Sequence, residues 1–137
     1  MLLIKTNDTI YEVQKKFDTY FPFLKIGFFN HNHSVNGASY KRDLLKTDVI
    51  LKHIQKEKSK SQITITEDMA VGLLEELFSE IFGLSAQVFR KSGQSWLETT
   101  VTDDWTLKRQ NEEGEELSKL NVSPIKKEEP KPGPYYL

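Results

Sequence analysis

Two apolar stripes of helical period, separated by short runs of alternating character, constrain this chain more than any other feature. Ile10, Val13, Phe17 and Tyr20 recur at spacings of three and four, and so do Val71, Leu74, Phe78 and Ile81. At about 3.6 residues per turn these spacings collect the apolar groups on one helical face, which must be buried against something else. The first stripe opens on Thr9-Ile10-Tyr11-Glu12, a capping box with Thr9 as N-cap and Glu12 reaching back. Pro22 stands just beyond its end. For the second stripe, Thr66 or Asp68 is the expected cap. Gly83 lies where a left-handed C-terminal residue belongs, and Glu75, Glu76 and Glu80 fall on the far side.

The segments around the stripes read as strands. Residues 2–5 are a short apolar run. In residues 23–29, Leu24, Ile26 and Phe28 share one face. Gln62-Ile63-Thr64-Ile65 alternates, and residues 86–91 and 95–101 alternate around Ser92-Gly93-Gln94, which predicts a hairpin with Gly93 at positive φ. Thr102-Asp103-Asp104 is placed to cap a last helix starting near Trp105, and Gly114 is expected to weaken that helix. The order β-α-β-insert-β-α-β-β-α predicts an α+β fold. A ferredoxin-like two-layer sandwich is the expected topology, with a β-grasp-like sheet as the alternative.

Residues 1–117 read as one domain interrupted by a polar, basic insert at 30–61 that carries one short helix. Residues 118–137 read as a disordered tail: four of the five prolines lie there among Lys and Glu, with too little apolar surface to offset chain entropy. The chain has no cysteine, which excludes disulfides, thiolate metal sites and a thiol nucleophile. The start of the chain is too short and too polar for a secretory leader, and no run approaches a membrane span, so the chain reads as soluble and cytoplasmic. Net charge is −1, but it is unevenly spread: residues 1–60 carry +5, residues 61–120 carry −7 and the tail +1. A uniformly basic nucleic-acid binder is excluded, and a dipolar protein is not.

Three groups of residues attract functional readings. Arg90, Trp96, Thr100, Asp103, Asp104 and Trp105 concentrate where the hairpin meets the last helix. There Arg90 is placed to pair with Asp103 or Asp104 and to form a surface for an unidentified protein or a small polar ligand. Lys41, Arg42, Lys46 and Lys52 in the basic stretch 40–60 suit an RNA or another anion. His31 and His33, two apart, are weak metal candidates, with His53 as a third ligand in a metal-dependent hydrolase reading. No Gly-x-Ser-x-Gly, His-Glu-x-x-His or phosphate-binding glycine pattern occurs, so no catalytic residue and no cofactor is assigned. An exposed strand edge, the first strand or the hairpin, is the expected route to a homodimer.

Residues 21–26 (Phe-Pro-Phe-Leu-Lys-Ile), 87–93 (Gln-Val-Phe-Arg-Lys-Ser-Gly) and 99–107 (Thr-Thr-Val-Thr-Asp-Asp-Trp-Thr-Leu) resemble blocks of a family of small, uncharacterised bacterial proteins. The resemblance runs loosely over residues 1–114. It implies a bacterial cytosolic protein and carries no activity, cofactor or ligand. Together these readings favour a non-enzymatic binding module, with RNA or anion binding through residues 40–60 as the alternative.

Overall fold

The structure is a computed structural model that describes residues 1–30 and 46–120. In chain order its elements are β1 (Leu2–Lys5), α1 (Ile10–Tyr20), β2 (Leu24–Asn30), α2 (Leu51–Ile54), β3 (Gln62–Ile65), α3 (Val71–Phe82), β4 (Leu84–Ser92), β5 (Ser95–Glu98) and α4 (Leu107–Leu120). His31, His33, Lys41, Arg42 and the tail from residue 121 lie outside the described residues.

The local signals at the helix ends are mostly realised. Glu12 N–H donates to Thr9 Oγ1 at 3.1 Å and Thr9 N–H donates to Glu12 Oε1 at 2.9 Å, which closes the capping box. Gly83 ends α3 at φ 69°, with its N–H directed to the Phe78 and Ser79 carbonyls. Gly93 sits at φ 64° in the two-residue turn between β4 and β5. Both apolar stripes are buried except at Tyr20, which is exposed at the end of α1, and Phe17, Leu74 and Phe78 are fully enclosed. Their rings and chains meet Leu24, Ile26 and Phe28 of β2 and Val88 of β4 in one core, where Phe28 and Phe78 lie 4.8 Å apart, centre to centre.

The α+β class is what the molecule shows, but the described strands do not join into the one sheet of a ferredoxin-like sandwich. Among the described residues β1 pairs only with β3, antiparallel, while β2, β4 and β5 form a second antiparallel sheet with β4 in the middle. Polar side chains of α1 bond to one strand of each sheet. Gln14 Nε2 donates to the Ile26 carbonyl of β2 at 3.0 Å, and Lys16 Nζ donates to the Leu3 carbonyl of β1 at 3.2 Å. These groups occupy backbone acceptors that a joining strand would need. Lys5 N–H of β1 is likewise taken, by Asp8 Oδ2 at 2.9 Å. A second chain extending the sheet from β1 would have to displace Asp8 and Lys16.

The last helix departs from expectation at both ends. It starts at Leu107, not Trp105, and its cap is Thr106, whose Oγ1 accepts from Arg109 N–H at 3.0 Å. It runs through Gly114 to Leu120, past the expected boundary at 117. Gly114 is buried because α4 lies directly on the sheet: a Cβ there would stand 2.9 Å from Phe23 Cβ and 3.0 Å from the Phe23 carbonyl oxygen. The glycine marks a close approach rather than a helix end.

Candidate functional site at the Arg90–Trp105 corner

The corner is built where the chain leaves the second sheet. β5 ends at Glu98, and Thr99 turns inward, its N–H and Oγ1 both donating to the Val88 carbonyl at 3.2 and 3.0 Å. The following loop is laid across the start of α3. Gly72 N–H donates to the Asp103 carbonyl at 2.8 Å and Val71 N–H to the Trp105 carbonyl at 3.0 Å. Neither Thr66 nor Asp68 caps α3. Thr66 Oγ1 donates instead to Asp68 Oδ1 at 2.6 Å, and the first free N–H groups of the helix find their acceptors on the distant loop. The chain then bridges back: Leu107 N–H donates to the Met69 carbonyl and Lys108 N–H to that of Glu67.

Gln110 holds this corner together from inside. It is fully buried, and its Nε2 donates at 2.8 Å to both the carbonyl and the hydroxyl of Thr102. Its Oε1 accepts from Arg90 NH1 at 2.9 Å. Arg90 therefore pairs with an amide on α4, and among the described residues no ion pair joins it to Asp103 or Asp104. Its stem passes Gly114, and its Nε is buried with no hydrogen-bond partner among the described residues. Arg90 is thus joined through Gln110 to Thr102, which links the hairpin, the loop and α4 at one point.

The outer side is different. Trp105 is half-buried; the Arg109 guanidinium lies 3.7 Å from its ring centre and that of Arg90 lies 5.6 Å away. Thr100 and Asp104 are exposed, and Val101 between them is 94 % exposed. Trp96 is not part of this group. It pairs with Lys91 in register, so it lies on the opposite face of the sheet from Arg90, with Lys25 Nζ 5.0 Å and Lys91 Nζ 5.1 Å from its ring centre.

Glu75 is the residue that the sequence pattern misplaces. It stands beside Leu74 on α3 and reads as outward, yet its Oε2 is enclosed without a hydrogen-bond partner among the described residues. Burial pushes its carboxyl up to about 7; a hydrogen bond from the Val88 backbone opposes this, and the nearby Asp103 and Glu98 add to the rise. Only the fold, which brings α3, β5 and the loop to one place, reveals it.

The remaining candidates stay apart. Lys46, Lys52 and His53 are exposed around α2. Among the described residues no three His, Asp or Glu side chains come together as metal ligands, and no helix is long and apolar enough to cross a membrane. No protein-family model matches the chain, and neither a curated protein nor a solved structure matches it.

Proposed function

We propose that the protein is a non-enzymatic, protein-binding module of the cytoplasm whose contact surface is the outer side of the corner: Thr100, Val101, Asp104, Trp105 and Arg109. The observation that supports this reading is Trp105, half-buried with two guanidinium groups over its ring, on the same loop as an apolar residue, Val101, that is 94 % exposed. A tryptophan stiffened in this way presents a large contact area with little conformational entropy left to lose, the property of interface anchors. The polar groups on the inner side are already paired, Arg90 with Gln110 and Gln110 with Thr102, which supports a protein contact on the outer side over a small polar ligand held by Arg90.

The test is affinity capture from a native lysate with wild type, Val101→Asp and Trp105→Ala, each checked for an unchanged melting curve. A specific partner retained by wild type and lost by both folded variants supports the reading. A partner that both folded variants still retain, or none captured by wild type, sinks it.

A second reading has its own observation. Lys46, Lys52, Lys56, Lys58 and Lys60 are all exposed, and Lys41 and Arg42 lie in the same stretch of sequence. An RNA or polyanion held there would show an affinity that falls steeply with salt. Titration of a labelled oligonucleotide at two salt concentrations decides it, and absence of binding at low salt removes this alternative.

A further inference from the structure

β3 carries backbone groups that its own sheet does not use. Thr6 N–H donates to the Ser61 carbonyl at 3.1 Å, so this pair faces inward between the two chain segments. Inward and outward residues alternate along an antiparallel ladder. Leu3 lies opposite Thr64 and Lys5 opposite Gln62, so these four turn their backbone groups away from the neighbouring strand. On the β1 side such groups are taken: the Leu3 carbonyl accepts from Lys16 Nζ, Lys5 N–H donates to Asp8 Oδ2, and the Lys5 carbonyl accepts from Asp8 N–H. On the β3 side nothing corresponds. Among the described residues no hydrogen bond reaches the N–H or the C=O of Gln62 or of Thr64. The strand is short, but Ile63, Thr64 and Ile65 are β-branched, and Gln62 is exposed.

The charges along this edge are sorted by sign. Lys58 and Lys60 precede β3, Glu67 and Asp68 follow it, and all four are exposed. The lysines are kept near the strand by Gln55, which is buried and donates through Nε2 to the carbonyls of Glu57 and Lys60. The acidic end is fixed as well: the Thr66 carbonyl accepts from Met69 N–H and the Glu67 carbonyl from Lys108 N–H. Glu57 breaks the pattern in sequence, but its carboxylate accepts from both the N–H and the hydroxyl of Ser59. A second β3 laid antiparallel reverses the order and sets lysines against acids at both ends. Laid parallel, it would set like charges together.

We propose that the outer edge of β3 is a self-association surface and that its occupant is the β3 edge of a second copy of this chain, antiparallel about Ile63. In this register Gln62 of each copy faces Thr64 of the other. Each such pair exchanges two N–H···O=C bonds, so all four outward groups find partners. Lys58 and Lys60 of each copy then run beside Glu67 and Asp68 of the other. The contact is the same patch on both copies, so it closes at a dimer and joins the two small sheets in the order β1-β3-β3-β1. A strand of four residues makes a small interface, which gives a weak, concentration-dependent association. It uses none of the residues of the proposed binding corner, and its readout is the oligomeric state, so it stands or falls independently of that role.

Sedimentation equilibrium of the intact chain over a concentration series tests it. Wild type should show a reversible monomer–dimer equilibrium. Thr64→Pro should raise the dissociation constant about tenfold, because proline lacks the N–H and two of the four intermolecular bonds are lost, while the β1–β3 ladder does not use that group. Lys58→Glu/Lys60→Glu and Glu67→Lys/Asp68→Lys should each shift to monomer. An equimolar mixture of these two should recover the dimer, since in the mixed pair opposite charges meet at both ends. Melting curves show which variants are folded, and where Thr64→Pro is not, the charge-reversed pair decides alone. A wild type that stays monomeric at every concentration overturns the proposal. So does a dimer indifferent to a folded Thr64→Pro, or a pair of charge-reversed variants that does not recover on mixing.

Discussion

Replacing Gly114 by alanine separates two physical accounts of α4. Judged as a helix position alone, glycine to alanine gains about 1 kcal/mol, since alanine loses less backbone entropy and is the best helix former. In the folded molecule the new methyl would stand 2.9 Å from Phe23 Cβ, 3.0 Å from the Phe23 carbonyl oxygen and 3.2 Å from Arg90 Cγ. Phe23 cannot easily retreat, because its N–H donates to Asn111 Oδ1 at 2.8 Å and its carbonyl accepts from Lys91 N–H at 3.0 Å. Arg90 is held in turn by Gln110. Helix and strand must therefore separate by several tenths of an ångström, and overpacking of this kind costs about 1–3 kcal/mol. Set against the propensity gain, the expected result is a net loss of about 1 kcal/mol, or a fall in melting temperature of roughly 4 °C for a domain of this size. Urea and thermal unfolding followed by far-ultraviolet circular dichroism measure it. A variant as stable as wild type, or more so, would refute the close-approach argument and restore Gly114 to an ordinary weak point in a solvent-facing helix.

Other expectations follow from the same structure. Thr9→Ala removes the Oγ1 that accepts from Glu12 N–H and leaves only the Thr9 N–H bond to Glu12 Oε1, and should lower unfolding free energy by about 1 kcal/mol. Gln110→Leu leaves Arg90 NH1 and the Thr102 carbonyl without their partner and should cost about 2–3 kcal/mol, with altered Trp105 fluorescence; an unchanged emission spectrum would count against the corner as drawn. Glu75→Gln should match wild type in stability below the ordinary carboxyl value of 4.5 and exceed it increasingly as pH rises to about 7. Wild type must keep a proton that its unfolded chain has already released, and at about 1.4 kcal/mol per tenfold change in proton affinity the gap is at most roughly 3 kcal/mol above that pH. Urea midpoints of the two proteins at pH 4.5 and pH 8 should show the divergence, and parallel curves would contradict it.

Features that depend on near neighbours in the chain were legible from residues alone. The capping box at Thr9, the turn at Gly93, the left-handed end at Gly83 and both apolar stripes are settled within a few residues of themselves. Their geometry follows from backbone sterics and side-chain reach, and the structure reproduces them. The α+β class is legible for the same reason, because helical and alternating periods are local properties.

Partnership across the chain was not legible. Strand periodicity says which face of β1 or β2 is buried but not which strand lies beside it. Gln14 and Lys16, two ordinary polar residues of a helix, bond to backbone carbonyls of β2 and β1, which nothing in their local sequence announces. The expected pairing of Arg90 with Asp103 or Asp104 fails because an amide twenty residues away, Gln110, comes closer. The alternation that separates Trp96 from Arg90 was visible in sequence, but the side of the sheet on which Trp105 would land was not. Gly114 and Glu75 acquired their roles only from Phe23, Val88, Asp103 and Glu98, residues remote in sequence. A clash, a desolvated carboxyl and a shared hydrogen bond are sums over whatever atoms lie nearby, and only the tertiary fold decides which atoms those are.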